Sequence, residues 1–145
     1  MTGLLVDTSV LIKWFHSDGE SELAEARAIR DAHVRGVVDA YVLDLALYEV
    51  GNVLTRALGW QAVEVAAQLD DLVAIVGPPL VMSQGWLHQA ARIAETHGLS
   101  FYDASWAAAA AALKIPLVSA DRRLVTAGLA ETPTVVATRL HLTAT

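Results

Sequence analysis

Short apolar runs alternate along this chain with longer stretches in which apolar residues return at helical spacing. Leu4-Leu5-Val6 is too short for a helix and predicts a strand that stops at Asp7. A helical turn follows, with Thr8 or Ser9 as its cap. Ser17-Asp18-Gly19-Glu20 has the form of a capping box and predicts a helix from there to about Arg35, with Leu23, Ala26 and Ile29 facing inward. Val37 to Leu43 reads as a second strand. From about Asp44 to Leu58, the residues Leu43, Leu47, Val50, Leu54 and Leu58 form one helical stripe. A further helix begins near Trp60, uses Val65, Leu69, Leu72 and Val76, and is stopped by Gly77-Pro78-Pro79. Leu80 to Met82 predicts a short strand. Leu87, Ala90, Ala91 and Ala94 mark a helix ended by Gly98, and Asp103 to Leu113 predicts another. Leu117 to Ala120 is a strand leading to Asp121, and Thr134 to Ala137 is expected as a last strand. Strand and helix in alternation imply an α/β fold with a mainly parallel sheet covered by helices.

The chain has 145 residues, the size of one ordinary domain, so residues 1–145 are expected to form a single one. Hydrophobic residues make up 54%, enough for a real core, which excludes disorder as the main state. There is no cysteine, and disulfide scaffolds, thiolate zinc sites and thiol nucleophiles go with it. No apolar run approaches the ~20 residues of a membrane helix. Asp7 interrupts the first apolar stretch and no basic residue precedes it, so no signal peptide is expected and the protein is placed in the cytoplasm. The net charge of −6 weighs against a nucleic-acid partner unless several acids are gathered and neutralised by metal.

Four acids offer that possibility. Asp7 (LLVDTS) and Asp121 (PLVSAD) each end a short apolar strand. In a parallel sheet the carboxyl ends of strands share one edge, and ligand sites form there. An Asp after a strand also often caps the next helix, and that reading stays open for both. Asp103 opens an Ala-rich helix behind Ser100, where a first-turn acid suits the helix dipole. The small, apolar helix behind it must be buried, which sets this acid beside the core. Glu49 falls off the leucine stripe, near Asn52 and Arg56, and is either an exposed, Arg-paired glutamate or part of a second buried face. Carboxylates crowded together raise one another's pKa, and a divalent cation removes that cost. An all-oxygen donor set suits Mg²⁺ or Mn²⁺ and serves phosphoryl chemistry. Taking four acids from a net −6 leaves −2, which eases the objection to RNA.

The segments LLVDTSVLIKWF, DLALYEVGNVL, LSFYDASWAAAA and PLVSADRRL, in this order and at these separations, resemble the PIN-domain ribonucleases, and within them the VapC toxins of bacterial toxin–antitoxin pairs. The resemblance runs from Leu4 to about Leu124. It implies a three-layer α/β/α sandwich. It matches Asp7, Glu49, Asp103 and Asp121 to the family's four metal-site acids, with Asp7 and Asp103 as the main direct ligands. Thr8 and Ser9 match its polar pair, and Ser119 stands where the family often has Thr. The implied activity is Mg²⁺-dependent endoribonuclease cleavage, with Mn²⁺ as a substitute. The implied partners are an RNA substrate, a cognate antitoxin, a second copy of the chain, and DNA only through the antitoxin. A housekeeping RNA-processing nuclease and a non-catalytic module are the alternatives within this resemblance.

Arg122 and Arg123 directly follow Asp121, and Arg122 is the candidate to steer RNA phosphates. Of the four tryptophans, Trp14 is the candidate for base stacking, because it follows the turn after Asp7 beside Lys13; the others are expected in the core. The five histidines include no i, i+4 pair and are expected mostly on the surface. No nucleophile elbow, P-loop or dinucleotide fingerprint is present.

Overall fold

In a computed structural model that describes residues 1–143, three parallel strands lie in the order β2-β1-β3. The last two positions of the expected domain, 144 and 145, lie outside the described residues. The central strand β1 (Thr2–Val6) pairs with β2 (Val38–Tyr41) on one side and with β3 (Leu117–Val118) on the other. Leu4, Leu5 and Val6 are consecutive and all fully buried, as expected of a strand covered on both faces. Single bridges from Leu43 to Leu80 and from Val118 to Glu131 extend the pairing. The strand expected over 80–82 is reduced to the first of these.

The helices cover both faces of the sheet, giving three layers, α/β/α. They are α1 (Thr8–Leu11, continued by a 3-10 turn Ile12–Trp14), α2 (Leu23–Val34), α3 (Leu45–Asn52), α4 (Ala62–Val76), α5 (Gln84–His97), α6 (Phe101–Leu113), α7 (Arg122–Thr126) and α8 (Pro133–Arg139). Helix α2 packs on β2 and α8, while α5 and α6 pack on each other. The α6 residues Ala104 to Ala110 are all buried, so the middle of this helix is enclosed on every side while its ends are exposed. Helix α5 ends at Gly98 as expected, in the left-handed conformation that glycine adopts freely (φ 65°).

Three sequence expectations about elements are corrected. Helix α2 starts at Leu23, not Ser17, because the polar groups of the supposed capping box are spent elsewhere. Glu20 pairs with the Lys13 ammonium at 3.0 Å, and the Ser17 hydroxyl accepts from Arg27. Residues 134–137 are helical in α8, not a strand. Thr132 caps that helix by accepting from the Val135 N–H, and Pro133 supplies a preset φ in the first turn. The first helix is capped by Asp7 itself rather than by Thr8 or Ser9. Helix α3 also carries a surprise: its predicted continuation to Leu58 is a π-helical segment over Val53–Ala57.

Two further residues sit differently from expectation. Trp14 is buried in the core and offers no exposed ring for stacking. His33 is a tie between elements rather than a free surface group. Its Nδ1 accepts from the Ala40 N–H at 3.0 Å, so Nε2 carries the proton and donates to the Ile75 carbonyl at 2.7 Å. One ring thereby joins α2, β2 and α4.

Candidate metal centre and active site

The order β2-β1-β3 reverses direction at β1, so a crevice opens beyond its carboxyl end. Asp7 is the first residue past β1, and Asp121 follows β3 by three positions. Glu49 comes from the middle of α3 and Asp103 from the first turn of α6. All four line one cavity of about 250 Å³, together with Thr8, Ser9, Ile12, Val53 and Trp106. Asp7 and Asp121, which line this cavity, also cap helices, as the capping reading expects. Asp7 Oδ1 accepts from the Ser9 N–H and hydroxyl, and Asp121 Oδ1 accepts from the Arg123 N–H, so each caps the helix that follows it.

Glu49 is held by two donors on one oxygen. The Thr8 hydroxyl reaches Oε1 at 2.9 Å and the Trp106 indole N–H reaches it at 3.0 Å. Among the described residues, the second oxygens of Glu49 and Asp121 accept no hydrogen bond and remain available to a ligand. Helix α3 buries Ala46 and Val50, and Glu49 lies beside them on a flank turned toward α1. This is the second packed face that a functional Glu49 requires. The Trp106 contribution was not legible in the sequence, which placed that residue in the core. It is indeed buried, and its N–H reaches Glu49 from the cavity wall.

The electrostatics reflect enclosed negative charge. Burial pushes the Asp7 carboxyl up from 3.8 to about 6, against the hydrogen bonds of Ser119 and Ser9, and the Glu49 charge adds to the rise. Asp103 is also raised, first by burial and then by the Asp121 charge; the Ser100 hydrogen bond and the Arg123 charge hold it back. These are acids without enough positive charge nearby, and their donors are all hard oxygens. The set fits Mg²⁺ or Mn²⁺ in kind. It does not form a closed cage: among the described residues, no three His, Cys, Asp or Glu side chains are arranged to hold a metal unaided. Magnesium retains several of its waters, so a wide site with one or two direct carboxylates still suits it.

Two of the candidate substrate-binding residues, Ser119 and Arg122, lie away from this cavity. Ser119 is fully buried and does not line the cavity. Its hydroxyl accepts from the Asp121 N–H at 3.0 Å and lies 3.4 Å from Ser9 Oγ, which in turn accepts from the Ala120 N–H at 2.9 Å. Ser119 therefore positions the turn that carries Asp121. Arg122 points to a different cavity, of about 440 Å³, beside Ser21, Glu22 and Thr132. The neighbouring Arg123 is the arginine whose charge reaches Asp103.

The family model for the PIN domain matches residues 4–128. The curated relative Exonuclease VapC9 of Pyrobaculum aerophilum is 34% identical over 84 residues, which make up 58% of this chain and 63% of that relative. The crystal structure of PAE2754 from Pyrobaculum aerophilum superposes with a TM-score of 0.67 at 28% identity, covering 97% of both chains. A structure of FitAB bound to an IR36 DNA fragment gives a TM-score of 0.68 at 19% identity, covering 90% of this chain and 94% of that one. FitAcB from Neisseria gonorrhoeae gives 0.64 at 20% identity, covering 90% and 98%. At these last two identities the likeness speaks for the fold alone. The matched region begins inside β1 and ends just past α7, so it takes in every element that brings an acid to the cavity, and the chain belongs to the PIN-domain family.

Proposed function

We propose that this chain is a divalent-metal-dependent endoribonuclease, the toxin of a toxin–antitoxin pair, acting in the cytoplasm. The observation that carries the reading is the meeting of Asp7, Glu49, Asp103 and Asp121, from four remote segments, around one cavity. Asp7 and Asp103 would be the main ligands of Mg²⁺ or Mn²⁺, with Glu49 and Asp121 completing the pocket directly or through water. Such a dication supplies neutralisation of phosphate charge and activation of water for in-line attack on a phosphodiester. The chain's own residues fix the geometry. Thr8 and Trp106 lock the Glu49 carboxylate, Ser9 orients Asp7, and the Ser119 hydroxyl holds the backbone at Asp121. In-line attack by water does not use the 2′-hydroxyl as nucleophile, so 5′-phosphate products are expected.

The name of the VapC9 relative raises a second reading, cleavage from a strand end. A circular RNA separates the two, because it has no end. Opening of the circle with magnesium, lost with EDTA and with Asp7→Asn, supports the endonuclease. Degradation of linear RNA alone supports the exonuclease, and cutting that survives both treatments removes the mechanism. The proposed partners are an antitoxin that covers the cavity and binds DNA, and a second copy of the chain. FitAB, which shares the fold, is seen with DNA. Co-expression with the neighbouring gene's product tests the antitoxin: a complex that silences cleavage supports it.

A further inference from the structure

A second cavity, of about 380 Å³, adjoins the acidic one, and Glu49 lines both. Its walls are Leu45, Tyr48 and Asn52 of α3 and Tyr102 of the first turn of α6. Tyr48 is 76% exposed and Tyr102 62%, and Phe101 beside it is also exposed. These rings stand bare in a chain that buries Trp14 and Trp106 almost completely. Isolated exposed apolar groups need no explanation, but two tyrosines facing one cavity at the mouth of a candidate active site do.

We propose that Tyr48 and Tyr102 form a stacking platform for the nucleobase next to the scissile phosphate, with the Asn52 amide at the base edge. The inference rests on the ribonuclease reading and deepens it. A phosphodiester seated over the acids leaves its neighbouring nucleotide one step along the strand, and the adjoining cavity is where that step can lead. Aromatic faces stack any base, because every base presents a π-face. An amide side chain offers both donor and acceptor to a base edge. A docked protein helix would instead need a row of apolar sockets, and here the aliphatic wall is Leu45.

The test uses a labelled single-stranded oligoadenylate and an abasic strand of equal length, with magnesium, on protein carrying Asp7→Asn to prevent cutting. Anisotropy reads the affinity. Adding Tyr48→Ala or Tyr102→Ala is expected to weaken oligoadenylate binding roughly five- to hundredfold, the range for loss of one stacked base. Tyr48→Phe and Tyr102→Phe keep the ring and should keep the affinity, as should Tyr41→Ala on another part of the surface. The abasic strand should bind weakly and equally to all. Alanine variants that bind oligoadenylate like their parent, or that lose the abasic strand by the same factor, overturn the platform. So do alanine variants that bind RNA normally but no longer dimerise or hold the neighbouring gene's product, which would assign the face to a protein. Cleavage by the unsubstituted chain is scored separately. Its absence overturns the ribonuclease reading, whereas intact cleavage with ring-independent binding overturns the platform alone.

Discussion

Asp7 carries two duties with opposite energetics. Capping α1 through Oδ1 stabilises the helix, yet enclosing the charge raises its pKa to about 6. The folded chain therefore holds this proton more tightly than the unfolded chain, whose value is 3.8. The sign follows from linkage: the contribution to stability is fully present below the unfolded value and is lost as pH rises through about 6. Without divalent cation, Asp7→Asn should therefore stabilise the fold at neutral pH, by about 3 kcal/mol at most, and the Tm should rise accordingly. It should also flatten the pH dependence of stability across that window, as read by thermal melts in chelator. The same substitution should abolish cleavage. At Glu49 the test is Trp106→Phe, which removes one of two donors to a carboxylate. A loss of about 2–4 kcal/mol in urea denaturation is expected, from the missing charged hydrogen bond and the small void together. An unchanged midpoint would show that the indole N–H contributes nothing.

Helix α6 decides how closely the layers approach. Its buried run from Ala104 to Ala110 leaves no room for larger side chains against α5 and β3, and it sets Asp103 at the cavity mouth. Ala108→Leu is expected to cost about 1–3 kcal/mol by overpacking, measured by chemical denaturation. The protein should stay folded with Asp103 displaced, so metal affinity should fall with it. The π-helical segment after α3 places Val53 on the cavity wall, and nothing in the spacing of the leucines announced it. Helix α8 shows the opposite failure. Its Val-Val pair suggested a strand, while the decisive signals were local ones, a threonine cap and a first-turn proline. The supposed capping box at Ser17 looked sound for the same local reason and was dissolved by Lys13 and Arg27, partners that only packing supplies.

The assembled molecule gathers four acidic side chains in one cavity, where enclosure raises Asp7 and Asp103, and under the proposed function a bound dication would relieve that cost. Magnesium or manganese should therefore raise the Tm of the unsubstituted chain, following the linkage between ligand occupancy and stability. The shift should vanish when Asp7→Asn and Asp103→Asn are combined. A melt in which the doubly substituted chain gains as much as its parent would remove the metal from the cavity. The net charge of −2 outside the four acids leaves little general attraction for RNA, so the proposed ribonuclease would depend more on specific contacts such as the proposed stacking platform.

Strand-ending aspartates, the leucine stripe, the alanine-rich helix and the alternation of strand with helix could all be read directly from residue order, because each is a local or periodic signal. Reading further needed the resemblance to PIN-domain proteins, since no local rule says that Glu49 and Asp103 face the same space. Convergence is a property of the folded sheet: the strand order β2-β1-β3 puts two strand ends together, and packed helices then aim two more acids at them. The roles of Trp106 and Ser119, the turning away of Arg122 and the burial of Trp14 belong to the same level. Each depends on which neighbour lies across a gap in space, and separation along the chain carries no record of that.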